Sequence, residues 1–202
     1  MNKIIVTSPH RLCKIKNIRD CDKVAGLASD IITNKLNAIS GRVGVVDIKG
    51  NEYRADHDLN REKSRSTDFR KTLKKTLAAS KGIEKCILLD VHSFPDYYLD
   101  EAGDINFFKK GENPPDIVIM TGNLDKIGKD RTSISYELFL CLKNNYNVKI
   151  ISDIRVLDIL NESSEHGIPG VLLEFNEKFL QRKKDLDRLC DDICKCVCKL
   201  VG

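Results

Sequence analysis

The chain has 202 residues, 41% of them hydrophobic and 32% charged. That balance provides for a packed core and excludes disordered, collagenous and coiled-coil chains. Its 34 basic and 30 acidic side chains leave a formal charge of +4, too mild to point to nucleic acid, and no apolar run approaches the roughly 20 residues that span a bilayer. The N-terminal run 1–7 is too short for a signal peptide and lacks a small-residue cleavage site. The sequence therefore reads as one domain over residues 1–202, cytoplasmic, with its eight cysteines reduced.

In chain order, residues 3–7 predict a strand that stops at Ser8-Pro9-His10. Val24, Leu27, Ala28, Ile31, Ile32 and Leu36, spaced three and four apart, predict an amphipathic helix over 21–38. A strand at 43–48 leads through a charged loop to a helix at 66–80 and an apolar strand at 86–91. Between residues 61 and 85 the chain carries nine basic against three acidic residues, the composition of a solvated helix face. Residues 96–115, with Tyr97, Tyr98, Gly103, Phe107, Phe108, Gly111, Pro114 and Pro115, predict a surface loop able to serve as a lid. Strands follow at 117–120 and 148–151 with a helix at 134–143 between them, then a turn at 166–170, a strand at 171–175 and a helix at 178–200.

Apolar strands alternating with long helices predict an α/β fold with a mainly parallel sheet covered on both faces, a three-layer α/β/α sandwich. In the last helix Leu186, Leu189, Cys190, Ile193, Cys194, Val197, Leu200 and Val201 form one apolar stripe, so Cys190 and Cys194 read as core and Cys196 as exposed.

Sheets of this kind carry their sites beyond the carboxyl ends of their strands. His10 and His92 both follow predicted strands, and Asp90 and Glu174 lie at strand ends, so these side chains are expected to share one edge. The turn at 166–170 is expected to border the same pocket. Two imidazoles and a carboxylate are a common ligand set for a hydrolytic zinc ion. His10 and His92 would supply the nitrogens, and Asp22 or Asp20 the oxygen. A nearby glutamate, Glu174, would shuttle the proton, and Arg54 would polarise a carbonyl.

Four segments, Ser8-Pro9-His10, Asp58-Leu59-Asn60-Arg61, Leu89-Asp90-Val91-His92-Ser93 and Leu172-Leu173-Glu174-Phe175-Asn176, resemble in this order the N-formylglutamate amidohydrolase family. That family is similar in fold and site to the zinc carboxypeptidases. The resemblance implies a zinc-dependent hydrolase of C–N amide bonds, with His10, Asp22 and His92 as metal ligands. It further implies that Glu174 is the general base, that Arg54 stabilises the oxyanion, and that Asn60 and Arg61 grip the carboxylate of a small-molecule or peptide substrate.

Asp20 stays open as the acidic ligand, as does Cys13, which stands three residues after His10 where zinc carboxypeptidases have their carboxylate. His57 reads as exposed or as a support for the site, and Asp90 as able to orient His92 only through a sharp turn of the chain. A non-catalytic module on the same fold, binding acidic peptides or N-acyl amino acids through Arg54 and Arg61, is the other reading.

Overall fold

The N-terminal strand β1 (Asn2–Ser8) sends Ile4 and Val6 to one side and Ile5 to the other, all fully buried, so both of its faces are covered. A computed structural model describes residues 2–13, 21–39, 43–54, 56, 58–99, 106–121, 132–152 and 158–202. After β1 come α1 (Ala25–Ile39), β2 (Val43–Lys49), α2 (Asp68–Ser80), β3 (Cys86–Phe94) and β4 (Ile117–Thr121). The remaining elements are α3 (Thr132–Leu142), β5 (Val148–Ser152), α4 (Asp158–Glu165), β6 (Gly170–Asn176) and α5 (Lys183–Val201). Asp20 and His57 lie outside the described residues.

The six strands form one sheet in the order β2-β1-β3-β6-β4-β5. All neighbours are parallel except β4 and β6, which run antiparallel. Side-chain alternation splits the interior in two. Ile4, Val6, Ile87, Leu89, Val91, Leu173 and Phe175 pack with α1, α3 and α5 on one face. On the other, Ile5, Leu88, Leu172, Val118 and Met120 pack with Phe69, Leu73 and Leu77 of α2 and Ile159 and Leu160 of α4. The expected three-layer α/β fold with a mainly parallel, mixed sheet is thus observed.

Several expectations need correction. β3 continues through His92 to Phe94, so His92 sits in the strand rather than after it. Residues 177–180 form a separate 3-10 turn ahead of α5. Cys13 pairs with Cys21 and Cys141 with Cys196, with Cα atoms 5.0 Å and 6.4 Å apart. Cys196 is buried because α3 packs against the flank of α5 that the apolar stripe leaves out. Cys190 and Cys194 do pack in the core, and burial pushes the Cys194 thiol up to about 12.

Within the basic run, Lys71, Lys74 and Lys75 are solvated as expected, but Arg70 is buried. The 166–170 turn enters β6 at its amino end, where Pro169 accepts from the Leu88 amide, and so lies at the edge opposite the strand ends that bear the polar residues. Among the described residues, no helix is long and apolar enough to cross a membrane.

Candidate functional site

Three adjacent parallel strands, β1, β3 and β6, end at one edge, with Thr7 paired to Asp90 and His92 paired to Glu174. Paired residues share a face, as do residues two apart along a strand. Thr7, Asp90, His92 and Glu174 therefore project together from the face that α2 and α4 cover. Asp90 Oδ2 stands 3.2 Å from His92 Nε2 while Thr7 Oγ1 donates to Asp90 Oδ1 at 2.6 Å. Asp90 orients His92 with no sharp turn, because an extended strand already places the two side by side.

His10 follows β1 by two residues and is fully buried, its ring edge-on to that of His92 with centroids 5.4 Å apart. Gly50, just past β2, lets this approach happen. Its amide donates to Ser8 O at 3.0 Å, and a Cβ added there would lie 1.9 Å from Pro9 O. Gly50→Ala must push Pro9 and His10 out of place, at an expected cost of roughly 1–3 kcal/mol. The unfolding midpoint of the variant checks this.

Asp22 comes from the segment that opens α1, and that segment is tied to the ends of all three strands. Asp22 N donates to His10 O at 3.0 Å, Lys23 N to Glu177 Oε1 at 3.3 Å and Val24 N to Ser93 Oγ at 3.1 Å. Val24 N is one of the amides that a helix start leaves without an intrahelical partner, and Ser93 Oγ satisfies it. The Cys13–Cys21 bond joins the same two stretches of chain. It also removes Cys13 as a candidate ligand, since a sulfur bonded to another sulfur is not a thiolate.

Asp22 Oδ2 meets His92 Nδ1 at 2.6 Å, and Asn60 Nδ2 lies 3.1 Å from His92 Nε2. Burial opposes charge on His92, but the carboxylates of Asp90 and Asp22 outweigh it and hold the ring's pKa well above its usual value. Burial likewise works against the Asp22 carboxylate, and contact with His92 overcomes it, so its pKa is lowered. Asp58 stands 3.1 Å from His10 Nε2, 3.1 Å from Arg61 Nε and 4.0 Å from Arg54 Nε. Against the cost of its burial, the hydrogen bond with His10 and the guanidinium groups of Arg54 and Arg61 hold its pKa well below the carboxylate range. Arg54 also reaches Asp22 Oδ1, at 3.5 Å. Glu174 behaves in the opposite way, since burial pushes its carboxyl up from 4.5 to about 8.

The structure thus brings His10, Asp22, Arg54, Asn60, Arg61, His92 and Glu174 to one edge. It adds Asp58, Asp90, Thr7, Ser93 and Glu177, to which sequence reasoning gave no part or only a conditional one. For Asp58 the signal was present, two residues before Asn60. Glu177 could not have been found, because its role depends on where Lys23 lies.

Metal binding can be tested on donor chemistry and on unsatisfied atoms. Among the described residues His10 Nδ1 is buried without a hydrogen bond, as is Asn60 Oδ1, while His10 Nε2 faces the Asp58 carboxylate at 3.1 Å. A buried polar group left so costs about 1–3 kcal/mol, which a ligand would recover. Two imidazoles and a carboxylate suit zinc, but Asp22 and His92 are drawn together more closely than two ligands of one ion, whose ~2.0–2.1 Å bonds would hold them further apart. In keeping with this, no group of three or more His, Cys, Asp or Glu among the described residues stands as a metal cage. The residue types fit zinc, and the Asp22–His92 contact must open to admit it.

No family model matches the chain, and no curated protein does. Solved structures share its fold. A gene product of Agrobacterium tumefaciens superposes with a TM-score of 0.68 at 11% identity, covering 98% of this chain and 88% of that one. An N-acetylmuramoyl-L-alanine amidase from Clostridium difficile 630 gives 0.58 at 13% identity, covering 99% and 94%. The catalytic domain of an endolysin targeting Clostridia difficile gives 0.57 at 15%, covering 100% and 97%. At these identities the likeness is one of fold.

Proposed function

We propose that the chain is a zinc-dependent amidohydrolase that cleaves an amide bond next to a carboxylate-bearing group, as in N-formyl or N-acyl amino acids and peptides. The observation that carries this reading is the meeting of His10, Asp22 and His92 beside Glu174, with His10 fully buried and its Nδ1 without a hydrogen bond among the described residues. Two of the structures that share the fold are, by name, an amidase and an endolysin domain, which supports the same class.

His10, Asp22 and His92 would hold the ion. Bound zinc lowers the pKa of water toward ~7 and polarises a carbonyl. Glu174, one strand over from His92, takes the proton of the attacking water and returns it to the leaving amine. Arg54 donates to the carbonyl oxygen as negative charge develops there. Asn60 and Arg61 hold the substrate carboxylate, for which a guanidinium fork offers two parallel donors. Both arginines are paired with Asp58, so the substrate competes with that residue for them.

A hydrolysis screen of N-formyl and N-acyl amino acids and short peptides, run with and without a chelator, tests the proposal. Release of a free amine that the chelator stops and added zinc restores is the expected result. Carboxylate binding without zinc or turnover would instead mark a non-catalytic binding module.

A further inference from the structure

Arg70 of α2 is buried almost completely, on the side of α2 that meets α4. Its Nε and Nη2 donate to Glu162 Oε2 at 3.1 Å and 2.5 Å, and Nη2 donates to Asp158 Oδ2 at 2.7 Å. Asp158 is held from the other side by Arg65 at 2.8 Å. A buried ion pair of this kind is a poor stability device, because well-packed apolar side chains of similar volume commonly serve as well or better. An apolar pair could not replace the remaining bond, in which Arg70 Nη1 donates to Leu59 O at 3.0 Å.

Leu59 lies between Asp58, which faces His10, and Asn60, which faces His92. The same loop is fixed at Asp58 O by Ser64 Oγ at 2.6 Å, and Ser64 O accepts from the α2 cap Thr67 at 2.8 Å. The loop therefore hangs from the start of α2 at two carbonyls. Arg70 fixes one of them, and its own place is set by two carboxylates of α4.

We infer that Arg70 is a positioning residue, which with Glu162 and Asp158 sets the Asp58–Arg61 loop so that Asn60 and Arg61 meet a substrate carboxylate. The inference rests on the functional reading above for its substrate. For its geometry it rests only on the α2/α4 charge cluster and the Leu59 carbonyl.

The test uses the full chain carrying R70M/E162M, which exchanges the pair for apolar side chains and leaves Asp158 paired with Arg65. The expected result is a melting temperature close to that of the native chain, with the preference for N-formyl-L-glutamate over its α-carboxamide reduced about tenfold. The imidazole nitrogen resonances of His10 and His92 should also shift. R70K keeps a charge for Glu162, but its single ammonium cannot fork to Leu59 O, and it should lose the same preference. If R70M/E162M does not fold, R70K decides on the same readouts.

An equal loss for both substrates overturns the inference, since looser packing slows both alike, and so does a folded variant with unchanged preference and resonances. If the native chain hydrolyses neither compound, the amidohydrolase reading fails on its own account. The histidine resonances then still decide the role of Arg70.

Discussion

Glu174→Gln is expected to lower turnover by roughly 100-fold to 10,000-fold, the usual share of a positioned acid or base, while zinc stays bound. The amide keeps the shape of the carboxyl and loses its ability to accept and return a proton. Rate measurements on zinc-loaded protein, with metal content determined alongside, check this, and near-native turnover would remove Glu174 from the reaction.

The same substitution has a pH-dependent effect on the metal-free fold. Burial raises the Glu174 pKa from 4.5 to about 8, so between these values the unfolded chain has shed a proton that the folded chain retains. Stability therefore falls as pH rises through that window and levels off above it. Glutamine has no such proton to lose. Metal-free E174Q should melt close to the native chain at about pH 4 and above it at about pH 9. The gap expected is at least ~1 kcal/mol, or about 2–4 °C for a chain of this size. A gap that does not change with pH would mean that the carboxyl ionises normally in the fold.

His92→Ala is expected to abolish zinc binding and activity together and to destabilise the metal-free chain by about 3–5 kcal/mol, as when one partner of a buried charged pair is removed. The loss is large because the ring serves three neighbours, contacting Asp22 through Nδ1 and both Asp90 and Asn60 through Nε2. After truncation, Asp90 keeps Thr7, and among the described residues Asp22 keeps the longer contact with Arg54. Metal analysis and denaturant unfolding read the two effects separately. Retention of about one zinc per chain would place the metal elsewhere.

The layers were legible because strands buried on both sides and helices buried on one carry different apolar periods. Ile4, Val6 and Leu36 are where those periods put them. α4 was not legible. Of its eight residues only Ile159 and Leu160 are apolar and buried, and its other long buried side chain is Glu162, which enters the interior through Arg70. Charge on the α2 face hid Arg70 for the same reason, since a sequence shows a guanidinium and not the carboxylates that accompany it inward.

The direction of β4 was equally hidden, because a short apolar run such as Ile117–Thr121 packs the same way up or down. For the candidate site, the shared edge of His10 and His92 was legible, although β3 runs two residues past His92 where the local pattern marked its end. The Cys13–Cys21 pair and the Ser93 and Glu177 contacts to the α1 entry depend on tertiary proximity that local patterns do not contain.

Reversal of β4 brings its amino end to the edge where β3 and β6 have their carboxyl ends, with Asn176 N bonded to Asp116 O at 3.0 Å. Since β6 lies between β3 and β4, the connection 95–116 has to pass the end of β6, two residues beyond Glu174. Leu99 and Asn106 clasp one another through two bonds, at 2.9 Å and 2.8 Å, and Phe107 and Phe108 root the return in the α2/α4 face. With the return anchored in this way, the reversed strand closes onto β6 while the register of the strands that carry the polar residues of the site stays set by the parallel pairs β1–β3 and β3–β6.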